Sequence, residues 1–132
     1  MREIRYRGIG IAERKWVFGS LWFDTRNKAT LIWSEELKYW VRVDPATVGQ
    51  YTGLKDEHGK EIYEGDVIRS PLSEDKTRRH RIFYHTGNAA FMGALVDRKE
   101  LCYLRLDQDW IYKFGKEVIG NIHDNPELLK NE

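Results

Sequence analysis

The chain has 132 residues, 41% hydrophobic and 13% aromatic, with 22 Lys and Arg against 21 Asp and Glu for a net charge of +1. That length suits one domain, residues 1–132, able to bury a real core without disulfide or metal staples. The balanced charge argues against a dedicated polyanion binder, and the aromatic content against a disordered tail.

In chain order, the opening MREIRYRG has no apolar segment behind its arginines, so it reads as mature sequence rather than a secretory signal. The apolar residues then fall in short runs rich in β-branched and aromatic types, the pattern of an all-β domain of about eight strands. A first strand is expected over 3–7, short enough to form an edge. A second, over 15–23, carries Trp16, Phe18 and Trp22 on one face and Val17, Leu21 and Phe23 on the other. Both faces want burial, which suggests a barrel interior with a second packed layer, or a subunit interface. This run also holds the longest charge-free apolar stretch, far short of the ~20 residues a membrane-spanning helix needs. No membrane association is expected.

Residues 24–28 read as a polar turn, 30–33 as a short strand, and 39–43 as an alternating strand that Pro45 breaks by lacking an N–H. Residues 50–54 and 61–69 form a hairpin-like unit around a turn at 55–60, with a tight bend at Gly65. Residues 70–77 are the most loop-like segment and should be exposed. An antiparallel meander follows over 81–85, 89–96 and 100–106. Strands over 110–114 and 117–123 then close the sheet, and Asn125 and Pro126 start one helical turn. The expected fold is a small antiparallel, barrel-like β domain of SH3-like or OB-like character with a short C-terminal helical turn.

Residues 48–69, VGQYTGLKDEHGKEIYEGDVIR, and residues 117–129, EVIGNIHDNPELL, resemble the two signature blocks of the YopX family of phage and prophage proteins. The opening MREIRYRG resembles that family's amino terminus, and the three pieces lie in the family's order over about a third of the chain. His58 departs from the Asn usual at that turn. The resemblance implies a mostly-β protein expressed in a bacterial host cytoplasm from a phage or prophage, with self-association and a host or phage protein as partner. It carries over no catalytic residue.

The signature words read physically as scaffold. Gly49, Gly53, Gly59 and Gly65 punctuate the first block where positive φ or close approach is needed, and Gln50 lies within it. Asp56 and Asp66 can satisfy turn N–H groups, and Tyr51 and Tyr63 combine apolar bodies with anchoring hydroxyls. Gly120 and Asn121 suggest a bulge, and Asn125 and Pro126 end the sheet.

No catalytic constellation, metal site or cofactor motif emerges. Glu57, Glu61, Glu64 and Asp66 read as a solvated strand edge rather than a cation site, with Glu64 and Asp66 sharing a face. The four histidines match no zinc spacing, and Cys102, the one cysteine, fits a buried hydrophobe in a reducing compartment. The strongest chemical signal is KTRRHR over 76–81, where Lys76, Arg78, Arg79 and Arg81 could contact polyphosphate, with Phe83, Tyr84 or Trp110 as stacking platforms. The leading expectation is a non-enzymatic interaction module acting as a homo-oligomer. The alternative is a nucleic-acid-binding accessory protein using that basic run.

Overall fold

The computed structural model describes residues 2–70, 78–96 and 103–129. They are mostly antiparallel strands, as the periodicity predicts, and they also include one short α-helix. The chain divides into two compact units, residues 1–51 and 52–132, where its length suggests one domain.

The first unit holds β1 (Tyr6–Ile9), β2 (Trp16–Asp24), β3 (Ala29–Ser34), β4 (Trp40–Arg42) and the start of β5 (Gly49–Lys55), in the order β4-β3-β2-β1-β5. β1, expected at an edge, is interior: Ile9 pairs with Trp16 on one side and Tyr6 with Gln50 on the other. The core is Val17, Ile32 and Val43, flanked by Tyr6, Val41 and Val48. Where Pro45 stops the strand, Asp44 caps a 3-10 turn (Pro45–Thr47). Thr47 Oγ1 accepts the Ile9 N–H at 2.8 Å, so the break is tied back to β1.

β5 continues into the second unit, where its remainder lies beside β6 (Glu61–Tyr63). There follow β7 (Asp66–Arg69), β8 (Arg79–His85), β9 (Ala90–Leu95), β10 (Tyr103–Arg105), α1 (Gln108–Lys113) and β11 (Glu117–Asn121), with sheet order β10-β9-β8-β7-β11. Both strand orders are linear, so the antiparallel sheets are not closed into the expected barrel. Gly65 makes the anticipated bend at φ +90°, separating β6 from β7. Its N–H donates to the Ile82 carbonyl and its carbonyl accepts from Ile122, each at 2.8 Å.

Residues 110–114 are not a strand. The Asp107 carboxylate accepts the Asp109 and Trp110 N–H groups and starts α1. At the other end Gly115, at φ +59°, donates to the Tyr112 carbonyl while the Lys116 N–H donates to Ile111, the paired bonds of a Schellman stop. The run of Trp110, Ile111 and Tyr112 favours a strand by composition, but cap and stop override that propensity. α1 packs Ile111 with Ile62, Ile68 and Ile82 in the core, against Leu54, Leu106, Trp110 and Val118.

Candidate functional site

The signature residues form the scaffold around which the sites are built. Gly49 and Gln50 pair with Arg7 and Tyr6, and Tyr51, 4% exposed, lies beneath the Arg5 guanidinium at 5.5 Å. Gly59 takes a positive φ at the turn after β5, and Gly53 takes one within β5 itself. Asp56 is 2% exposed, and its carboxylate accepts the N–H groups of His58 and Lys60 at 2.9 Å and of Val118 at 3.0 Å. One buried carboxylate thus joins the turn of the first signature block to the strand of the second.

Asp66, expected on a solvated edge, is instead 1% exposed and accepts the Tyr63 N–H at 2.8 Å. The bend at Gly65 turns this carboxylate inward to a backbone donor, and the Tyr63 hydroxyl donates to Glu61 at 3.4 Å. Gly120 sits where a Cβ would collide with Asn125 Oδ1 and come within 2.8 Å of Leu128. Asn121 holds the following turn by accepting from His123 and Asp124. Asn125 accepts the Asn121 N–H instead of capping with its side chain, and Pro126 opens the 3-10 turn Pro126–Leu129.

β8 begins at Arg79 rather than Arg81, so strand alternation splits the basic run. Arg79 and Arg81 point to one face, where they pair in register with Arg69 and Val67. Arg105, opposite Met92, shares that face. The result is an arginine stripe across the sheet, tempered by Glu117 at 3.8 Å from Arg69. Arg81 stacks over Phe83 at 5.3 Å. Lys76 lies outside the described residues, as do Cys102 and residues 71–77 of the expected exposed loop. Ser70, at that loop's start, is buried and donates to the Phe114 carbonyl.

The opposite face carries a pocket of about 280 Å³ lined by Arg78, His80, Trp110, Phe114, Lys116 and Leu104, with Ser70 at its wall. Lys116 is 6% exposed, and its ammonium lies 4.6 Å from the Trp110 ring centroid. His80 meets the same indole edge-on at 5.6 Å. Among the described residues no carboxylate forms an ion pair with Lys116. Burial, and then the charge of Arg78, lower its pKa below the ordinary lysine value. A desolvated cation–π contact contributes about 2 kcal/mol or somewhat more, whereas desolvating an ammonium costs several. The pocket therefore holds positive charge that its own residues do not neutralise.

Sequence reasoning passed over Lys116. Its signal was the Asp107 cap and the Gly115 stop, which fix where the chain leaves α1 and aim the lysine inward.

The first unit presents a different surface. Register places Phe18 and Trp22 of β2, Trp33 of β3 and Trp40 of β4 on one face, and all four are 36–50% exposed. Trp40 contacts Trp22 at 5.5 Å and Trp33 at 5.6 Å between ring centroids. Beside them a groove of about 450 Å³ is lined by Ile11, Trp16, Leu37, Tyr39, Trp40 and Val41, among others. Of the two faces of β2 expected to be buried, only Val17 and Gly19 are, while Leu21 and Phe23 remain exposed.

Among the described residues no group of three His, Cys, Asp or Glu side chains could hold a metal ion. Nor is any helix there long and apolar enough to cross a membrane.

A family model for the YopX protein matches residues 5–130. The chain is also similar to protein EF1440 from Enterococcus faecalis, whose crystal structure it matches with a TM-score of 0.65 at 27% identity over 98% of this chain and 100% of that one. No curated protein matches it. With the signature blocks and nearly the whole chain accounted for, this protein belongs to the YopX family.

Proposed function

We propose that this YopX-family protein is a non-enzymatic interaction module that works as a homo-oligomer through the aromatic face of its first unit, in the cytoplasm of a bacterium carrying the phage or prophage that encodes it. The observation that carries this reading is the exposed cluster of Phe18, Trp22, Trp33 and Trp40. At 36–50% exposure these rings offer on the order of 350 Å² of aromatic surface. A patch of that size matches the largest on an ordinary monomer, which is often functional, and three of its four rings are tryptophan, a residue type enriched at binding hot spots. Strand register puts the four rings on one face of the sheet, where a second copy could meet them about a two-fold axis. The non-enzymatic reading is supported by how the buried carboxylates are used: Asp56 and Asp66 accept backbone N–H groups and hold turns.

Sedimentation velocity across micromolar concentrations tests the reading. The expected result is a species of at least twice the 15.7 kDa chain mass, shifted to monomer by Trp22→Ser with Trp40→Ser while the circular dichroism stays that of a folded β protein. A wild type that stays monomeric would overturn it.

A second reading, nucleic-acid binding, is favoured by one specific observation: Arg69, Arg79, Arg81 and Arg105 share one face of the second unit. Such a stripe would act through phosphate neutralisation and counterion release. Fluorescence anisotropy in a salt series with single- and double-stranded DNA and RNA tests it. Steep salt dependence, lost when Arg79 and Arg81 become Gln, is expected; no binding at low salt would end it.

A further inference from the structure

We propose that the pocket of Arg78, His80, Trp110 and Lys116 in the second unit is a binding site for a phosphate monoester. Three observations converge on it. Lys116 is more than nine-tenths buried and lines the cavity, with no carboxylate partner among the described residues. Its backbone is pinned on both sides, by its N–H to the Ile111 carbonyl at 2.8 Å and by its carbonyl accepting from Glu57 at 3.0 Å, so the side chain's origin is fixed. Arg78, just before β8, brings a permanently charged guanidinium to the same cavity.

A point-charge ammonium beside a guanidinium fork matches the doubly charged, three-oxygen end of a phosphate monoester better than a single carboxylate. The indole of Trp110 holds the ammonium at 4.6 Å and keeps the cavity wall apolar, which strengthens the attraction for an anion that enters. The volume, about 280 Å³, lies just under the ~300 Å³ at which drug-sized sites begin. It suits a phosphate with a small part of its carrier. The exposed ring of Phe114 at the lining offers that carrier an apolar surface. This site lies on the opposite face of β8 from Arg79 and Arg81, so it is separate from the arginine stripe.

Titration calorimetry with the full chain tests the proposal, using inorganic phosphate, a nucleoside 5′-monophosphate, and one oligonucleotide carrying either a 5′-phosphate or a 5′-hydroxyl. Saturable binding of phosphate is expected, at least about tenfold weaker in Lys116→Met and in Arg78→Gln and unchanged in Arg79→Gln. Arg78 is exposed, so its variant reports on binding even if the Lys116 variant fails to fold. A preference for the phosphorylated oligonucleotide over the monophosphate would assign a nucleic-acid end as the source. The reverse order would assign a free nucleotide. Absence of binding by every probe at tens of millimolar, or binding that both variants retain, would overturn the proposal.

Discussion

In the second unit, α1 lays Ile111 against Ile68 and Ile82, and the buried Asp56 carboxylate ties the turn at 57–60 to β11. In the first, β2, β3 and β4 carry four aromatic rings that stay 36–50% exposed, over a core cluster of Val17, Ile32 and Val43. Both sheets are built from the same β-branched and aromatic alphabet. They differ in whether the chain supplies its own cover: a six-residue α-helix with a strong start and stop does so in one unit, and among the described residues the other has no α-helix, only the 3-10 turn Pro45–Thr47. A sheet face without its own cover is where a second molecule can supply one.

Several substitutions can break or sharpen this contrast. The largest effect is expected for Asp56→Ala, which removes the buried acceptor shared by three part-buried N–H groups and should cost the second unit about 3–5 kcal/mol. Asp24→Ala removes a comparable number of bonds, but from an exposed turn in the first unit, where water replaces them; urea denaturation should find a small change. Equal losses would mean that burial does not distinguish the two turns.

Next is Ile111→Ala, expected to cost about 2–5 kcal/mol by opening a cavity under α1. Trp22→Ser, at a residue 50% exposed that packs on Trp40, should cost the monomer about 1–2 kcal/mol and weaken self-association as well. Gly120→Ala follows at about 1–3 kcal/mol, because its Cβ meets Asn125 and Leu128.

The smallest effect is a pH dependence. The folded-state pKa of Lys116 is lowered, by burial first and Arg78 second, so the unfolded chain holds this proton more tightly. Its destabilising contribution is complete below the folded pKa and is relieved as pH rises through that value toward the ordinary lysine range. Lys116→Met should flatten that alkaline rise and match or exceed the wild type in stability near neutrality, as expected for an unpaired buried charge. Denaturation midpoints of both proteins across alkaline pH check this; a destabilised Met variant would show that the ammonium is structurally required.

Much of the fold could be read before the structure was known. The meander of β8, β9 and β10, the bend at Gly65 and the final turn at Pro126 all follow from alternation and turn chemistry. Four features did not, each for a physical reason. Trp110, Ile111 and Tyr112 look like a strand because their propensity is local, whereas the Asp107 cap and Gly115 stop act only together. The basic run looked like one patch because its cations are adjacent in sequence; a strand start at Arg79 sends Arg78 and Arg79 to different sites. Asp66 reads both as a turn acceptor and as part of a solvated edge, because nothing local decides whether the Gly65 bend turns its carboxylate inward to the Tyr63 N–H. The Lys116 pocket was the least legible, since its cations come from positions 38 residues apart that only the sheet brings together.

Hydrogen exchange followed by mass spectrometry at low and high protein concentration tests the central contrast most directly. The account predicts that β2, β3 and β4 gain protection as concentration rises, while α1, β7 and β8 are equally protected throughout. Protection of β2–β4 that does not change with concentration, or that rises equally in the second unit, would contradict it.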